Sequence, residues 1–151
     1  MGNRVLGEAF RSLKDVDLSK QKIKNLVLAA PDIDKRTFEE QIAPEFCAKA
    51  QNVTLYASSK DNALALSEGI HNNQRAGDTK PSVTICHGIH TIDASETDTS
   101  ILGHGYYGNE TWVLQDIHYF FDGSPPDKRF GLKEMETEAG SYWKFKPGIK
   151  N

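Results

Sequence analysis

The stretch Ser100-Ile-Leu-Gly-His-Gly-Tyr-Tyr107 places one histidine between two glycines. A strand-like run, Gly88–Asp93, precedes it, and a helical pattern, Thr111–Phe121, follows it. Glycines on both sides let the backbone turn and leave the imidazole of His104 uncrowded. Histidine is the side chain best suited to move protons near neutral pH, and doubly wound α/β enzymes present a general base in such a loop. A loop histidine can also have no role, so its meaning depends on the elements around it.

Outward from this loop, the chain alternates apolar runs with helical patterns. The runs that predict strands are Asn25–Ala30, Val53–Ser58 and Gly88–Asp93, with a further short extended piece at Val83–Ile85. The patterns that predict helices are Met1–Leu13, Lys35–Ala50, Ala63–His71 and Thr111–Phe121, the second of them broken or kinked by Pro44. This alternation predicts an α/β fold with a parallel sheet and helices on both faces.

Acidic residues follow two of the predicted strands. Asp32 and Asp34 come after the first, and Asp61 comes after the second. Functional groups of such sheets lie at the carboxyl ends of the strands. An imidazole that acts as a base needs a carboxylate on its far nitrogen, and an acid after one strand with a histidine after the next is the triad order of α/β hydrolases. The pattern therefore indicates Asp61 as the acid and His104 as the base.

Other assignments of the acid remain open at this stage. Asp61 could instead cap the helix that follows it. Asp32 and Asp34 are rivals for the acid role, although capping the Lys35–Ala50 helix suits them better. Asp93 could support the histidine loop through a hydrogen bond.

Four segments, taken in this order, carry a family resemblance: Met1-Gly-Asn-Arg4, Asn25–Asp34, Leu55–Leu64 and Gly103-His-Gly-Tyr-Tyr107. They resemble the C-terminal part of a bacterial α/β-hydrolase group, esterase- or lipase-like and long described as a domain of unknown function. The resemblance extends over roughly Met1 to Phe121. Members of that group share a His-Ser-Met-Gly-Asn-Arg elbow, so the resemblance implies that the nucleophilic serine would directly precede Met1.

The resemblance implies a partial α/β-hydrolase fold, with the N-terminal strands and the nucleophile strand absent from this chain. Residues 1–123 would be the C-terminal portion of the hydrolase domain, and residues 124–151 a tail packed on that domain or on a partner. The implied function is the acid and base half of a serine-dependent hydrolase for ester or related acyl substrates, inactive as this chain alone. The alternative is a non-catalytic module for oligomerisation or protein interaction.

Composition limits the remaining functions. The net charge is -3, and no basic stripe favours nucleic acid as a partner. No apolar run is long enough to predict a membrane span, and no signal-peptide pattern occurs at the N-terminus. With two cysteines, Cys47 and Cys86, the chain as written reads as a reduced, cytoplasmic protein.

Neither a metal site nor a cofactor site is predicted. Cys86, His87 and His90 lie close in sequence, with His104 and His118 further on. However, a strand would point His87 and His90 to opposite faces, and no Cys-x-x-Cys spacing completes a site. The remaining candidate nucleophiles are Ser58, Ser59 and Ser100, and none of them lies in a Gly-x-Ser-x-Gly turn.

The outer edge of the first predicted strand, Asn25–Ala30, needs a partner. In the α/β-hydrolase order, Asn25–Ala30 lies beside the strand that carries the serine elbow. Without that strand, an apolar edge would be open to pairing, which predicts a homodimer through this edge or aggregation of the chain. The rival expectation is that the segment around Tyr142–Phe145 folds back and covers it.

Overall fold

The computed structural model describes residues 2–12, 22–59, 73–97 and 110–146. Its strands are β1 (Ile23–Ala29), β2 (Ala50–Ala57), β3 (Ile89–Asp93), β4 (Leu132–Thr137) and β5 (Gly140–Phe145). Its helices are α1 (Gly2–Ser12), α2 (Lys35–Thr37), α3 (Ala43–Lys49) and α4 (Glu110–Phe121), with a π-helical segment at Phe38–Ile42 and a 3₁₀ turn at Pro126–Lys128.

The five strands form one sheet in the order β1-β2-β3-β5-β4. The first three are parallel, with Leu28 beside Leu55 and Leu55 beside Thr91. β5 joins β3 in parallel, and β4 pairs antiparallel with β5 at the far edge. The predicted α/β class and the three predicted parallel strands are therefore confirmed.

Successive side chains of β2 supply two separate cores, because neighbouring residues of a strand point to opposite faces. Val53 and Leu55 pack with Phe38 and Phe46 from the helical side, and Phe10 of α1 meets Phe46 edge-on at 4.9 Å between ring centroids. On the opposite face, Tyr56 packs with other members of a second core: Ile92, Val113, Leu132 and Phe145. The sheet is thus covered on both faces, as the apolar runs predict.

The predicted helix over Lys35–Ala50 forms in three sections, and Pro44 explains the division. Asp34 caps its start, since the carboxylate Oδ1 accepts the Thr37 backbone N–H at 2.9 Å. The helix then widens into the π-helical segment, and α3 begins after it with Pro44 in its first turn. A proline there loses no intrahelical hydrogen bond. The cap and the interruption at Pro44 were both predicted.

The C-terminal tail contains a β-hairpin that the sequence patterns did not predict. β4 and β5 connect through a two-residue turn, Glu138-Ala139, and Trp143 of β5 lies beside Ile92 of β3. Because β5 joins β3, the expectation that Tyr142–Phe145 covers β1 is wrong. Among the described strands, β1 has a partner on one side only.

Two further predicted elements differ or lie elsewhere. Val83–Ile85, predicted as a short extended piece, is not part of a β-strand, and the hydroxyl of its middle residue, Thr84, donates to the Ala76 carbonyl at 2.9 Å. The predicted helix Ala63–His71 lies outside the described residues. No helix in the described ranges combines the length and the apolarity needed to cross a bilayer.

A backbone clamp holds the turn after β1 against the segment that leads toward β3. The Gly77 N–H donates to the Pro31 carbonyl at 3.0 Å, and the Ser58 N–H donates to the Gly77 carbonyl at 2.8 Å. A Cβ at position 77 would lie 2.5 Å from the carbonyl carbon of Ala30. Only glycine permits this approach, because backbone atoms cannot move aside as the end of a side chain can.

We expect Gly77→Ala to lower the free energy of unfolding by about 2 kcal/mol or more, because the added methyl group overlaps backbone. The matched control is Gly7→Ala in α1, where the new Cβ would meet only the Ile42 side chain, at 3.3 Å. Better helix propensity offsets that contact, so the control should stay within about 1 kcal/mol of wild type. Urea unfolding followed by circular dichroism measures both. Equal urea concentrations at the unfolding midpoint for the two variants would contradict the requirement for glycine at position 77.

Candidate active site

The carboxyl ends of the three parallel strands lie side by side and are tied together beyond the strands themselves. The Ala30 N–H donates to the Tyr56 carbonyl at 2.9 Å, and the Ala94 N–H donates to the Ala57 carbonyl at 2.8 Å. Past these bonds, the Ser59 N–H donates to the hydroxyl of Ser95 at 2.9 Å. The ends of β2 and β3 are therefore fixed to each other where the chain leaves the sheet.

The two predicted catalytic residues follow these ends, and both lie outside the described residues. Asp61 comes two positions after Ser59, and His104 comes seven positions after Thr97. The structure thus places the two chain ends that lead to them at the same edge of the sheet, but neither side chain. Ser100, a candidate nucleophile, also lies outside the described residues.

Asp32 and Asp34, the rival acids after β1, both contact Arg75. Arg75 Nε lies 3.2 Å from Asp32 Oδ1, and its backbone pairs with Asp34 in an isolated β-bridge. The backbone N–H of Thr37 lowers the pKa of the Asp34 carboxyl, so the cap is held as a carboxylate. The Asp32 side chain thus contacts Arg75, and the Asp34 side chain caps α2.

Asp93, the third rival, ends β3 and is nearly buried. Its Oδ1 accepts the Ser95 backbone N–H at 2.8 Å, and its Oδ2 lies 3.6 Å from Lys144 Nζ. Lys144 also lies 3.3 Å from Glu96. Although partial burial opposes it, the two carboxylates raise the pKa of Lys144. Lys144 comes from the C-terminal hairpin, so that hairpin brings a cation to the carboxyl edge.

Ser58 and Ser59, two of the candidate nucleophiles, directly follow β2. Ser58 is only 2 % exposed, and its backbone N–H bonds to Gly77. The Ser59 N–H is bonded to Ser95. Neither residue lies in the Gly-x-Ser-x-Gly sequence of a nucleophile elbow.

A cleft of about 540 Å³ lies near the amino-terminal side of β3, lined by Glu39, Ala43, Pro44, Cys47, Ile85, Cys86 and His87. Burial raises the pKa of the Cys47 thiol and raises that of Cys86 to about 11, with Glu39 adding to the latter shift. Both thiols are therefore protonated near neutral pH, which makes them poor nucleophiles. Nowhere in the described ranges do three or more His, Cys, Asp or Glu side chains converge to hold a metal ion.

A buried polar cluster that the sequence patterns did not predict lies on the face of the sheet that carries Tyr56, and it consists of Tyr56, Asp116 and Arg129. The Tyr56 hydroxyl donates to Asp116 Oδ2 at 2.5 Å, and an Arg129 guanidinium nitrogen lies 3.4 Å from the same oxygen. Arg129 also donates to the Ser124 carbonyl and lies 5.0 Å from the centre of the Phe120 ring. One signal could have found it, because Asp116 interrupts the apolar stripe of α4 between Val113 and Phe120.

Burial dominates the electrostatics of this cluster. It raises the pKa of the Asp116 carboxyl, against the opposing effects of Tyr56 and Arg129. Burial, and then the charge of Asp116, raises the pKa of Tyr56, which keeps the hydroxyl as a donor. Burial also lowers the pKa of His90 on the same face, with Arg129 as the second cause. The cluster joins β2, α4 and the segment before the hairpin.

The sheet is mostly parallel and has helices on both faces. The ends of two of its strands lead to an acid and a histidine. Together these features define an α/β-hydrolase-like module. Residues 1–118 match a family described as "Alpha/beta hydrolase of unknown function (DUF900)". The chain belongs to this family, which confirms the resemblance found in the sequence. Comparisons with curated proteins and with solved structures gave no match.

We expect Arg129→Met to destabilise the protein by about 3–5 kcal/mol at pH 7, because it leaves the Asp116 carboxylate buried without a counter-charge. The folded-state pKa of Asp116 is raised above its unfolded value of 3.8, and removing the cation raises it further. The penalty is therefore largest at high pH and shrinks as the pH falls and the carboxyl takes up a proton.

The matched control is Lys128→Met, since this neighbouring cation is exposed and lies 3.2 Å from the exposed carboxylate of Asp127. It should change stability by less than about 0.5 kcal/mol at any pH. Thermal unfolding at pH 5 and pH 8 compares the two variants. A loss for Arg129→Met that does not depend on pH would show that lost packing, not charge, is the cause.

Proposed function

We propose that this chain carries the acid and base of a serine-dependent hydrolase that acts on ester or related acyl substrates. Asp61 orients and stabilises the imidazole of His104, and His104 takes the proton of a serine hydroxyl as that hydroxyl attacks the acyl carbon. The imidazolium then gives the proton to the leaving alcohol. Water repeats the sequence on the acyl-enzyme, which releases the acid and frees the serine.

The observation that carries this proposal is the junction at the carboxyl edge. The two chain ends that precede Asp61 and His104 are hydrogen-bonded to one another through Ala94, Ala57, Ser59 and Ser95. Family membership supports the reaction class, and the spacing of acid and base along the chain supports the roles.

Asp61 is favoured over its rivals because each rival is already engaged. Asp34 caps α2, and Asp32 lies against Arg75. Asp93 holds the Ser95 N–H with one oxygen and lies near Lys144 with the other. A triad acid must instead offer an oxygen to the imidazole N–H.

The serine of the proposed reaction comes from outside these 151 residues, since they contain no Gly-x-Ser-x-Gly sequence. The first test is to read the DNA upstream of Met1. In-frame codons for Gly-His-Ser would supply the serine of the elbow. An in-frame stop codon there would contradict a serine upstream of Met1.

The 151-residue chain alone should hydrolyse p-nitrophenyl butyrate no faster than buffer, because it contains no Gly-x-Ser-x-Gly serine to attack the ester. The longer protein with the upstream serine should hydrolyse it. In that protein, His104→Ala and Asp61→Asn should each reduce kcat by about 10³–10⁴-fold.

Asp32→Asn and Asp93→Asn in the longer protein are the matched controls, with kcat expected within about tenfold of wild type. A large loss in either control with little loss in Asp61→Asn would transfer the acid role to that residue. Turnover by the 151-residue chain that disappears in His104→Ala would contradict the external serine.

A second candidate function, self-association, is favoured by the contrast between the two sheet edges. β4 carries Lys133, Glu134 and Glu136, and charges on an edge strand discourage pairing with another chain. β1 carries Leu26, Val27 and Leu28 in its second half, and no described strand lies on its outer side. Two copies pairing through β1 would form a symmetric dimer.

In that case the purified chain should elute as a dimer at micromolar concentration in size-exclusion chromatography with light scattering. Ile23→Lys adds charge to the exposed start of β1 and should weaken the dimer by tenfold or so, about 1.4 kcal/mol. Thr137→Lys adds the same charge to β4 and should have no effect. A sharp monomer peak for the unmodified chain would contradict self-association.

A further inference from the structure

The hydroxyl of Ser95 joins separate parts of the carboxyl edge. It accepts the Ser59 backbone N–H at 2.9 Å and lies 3.1 Å from the hydroxyl of Thr79. The Ser95 backbone N–H donates to Asp93 at 2.8 Å, so the turn after β3 is held independently of the hydroxyl. The hydroxyl therefore adds a side-chain link to the backbone bond from Ala94 to Ala57, and it holds the chain at Ser59, beyond the last residue of β2.

We propose that Ser95 is a positioning residue, whose hydroxyl fixes the separation of the two strand ends that lead to Asp61 and His104. This inference rests on the proposed function. Asp61 follows Ser59 by two residues, and a residue of chain spans at most about 3.6 Å. An anchor at Ser59 therefore limits where the Asp61 carboxylate can lie.

The Ser95 hydroxyl has the chemistry that this role requires. With one lone pair on the Ser59 N–H, it keeps a proton and a second lone pair for Thr79. Removing it leaves the Ser59 N–H without this partner and lets Ser59 shift relative to the turn after β3, although the backbone bond from Ala94 to Ala57 remains. A shift of about 1 Å in a catalytic group can cost about 10²-fold in rate.

The test follows the titration of the His104 imidazole by NMR in the 151-residue chain, which does not require the serine nucleophile. The resonance is assigned by its loss in His104→Gln. A nearby carboxylate favours the charged imidazole, so Asp61→Asn should lower the pH of half-protonation by about one unit or more. Ser95→Ala should lower it in the same direction by a smaller amount.

Ser95→Thr keeps the hydroxyl and should restore the wild-type titration, which a role in packing alone would not predict. Ser141→Ala removes an exposed hydroxyl on β5 and should change nothing. His118, paired with Asp122 on the far end of α4, is the internal reference in every variant.

The outcomes separate the two proposals. If Asp61→Asn leaves the His104 titration unchanged, the acid–base pair itself is wrong. If Asp61→Asn shifts it and a folded Ser95→Ala does not, only the role of Ser95 is wrong. Should Ser95→Ala fail to fold, Ser95→Cys replaces it, since a thiol is a weak hydrogen-bond acceptor, and a wild-type titration there overturns the role of Ser95 as well.

Discussion

Parallel pairing of β1, β2 and β3 is the constraint on which the rest of the structure depends. It brings three strand ends to one edge, and bonds from Ala30 and Ala94 continue the ladder past the strands. Side chains that are distant in sequence become neighbours at this edge because the strands pair, and not because the side chains contact one another. A site at this edge thus follows from backbone hydrogen bonding, and the loops decide its chemistry.

The strands and the capped helix could be predicted because their signals are local. Continuous apolar runs report strands buried on both faces, and Asp34 precedes its helix at the position where a cap belongs. The hairpin could not be predicted in this way. Lys133, Glu134 and Glu136 on β4 mask the alternation that would reveal a strand, and the place of β5 beside β3 is set by contacts far along the chain.

The site divides along the same line. Sequence order predicted Asp61 and His104 as acid and base, and this stays a prediction because both lie outside the described residues. It could not indicate which carboxylates are already occupied, since Asp32 meets Arg75 and Asp93 meets Lys144 only after folding. The buried cluster is the extreme case: Tyr56 and Asp116 lie within the family-matched residues, whereas Arg129 lies beyond them. Charge balance of the second core therefore depends on the segment that also supplies the hairpin.

The two candidate functions compete for one sheet edge. Pairing of two copies through β1 needs the outer side of that strand to be open, whereas a nucleophile-bearing strand of the same polypeptide would occupy it. Backbone donors and acceptors on that side can be satisfied by only one partner at a time. In the proposed hydrolase, a strand of the same polypeptide would pair there and bring the serine, and the proposed dimer interface would be lost. The two proposed functions are thus alternatives, because each needs the same edge of β1.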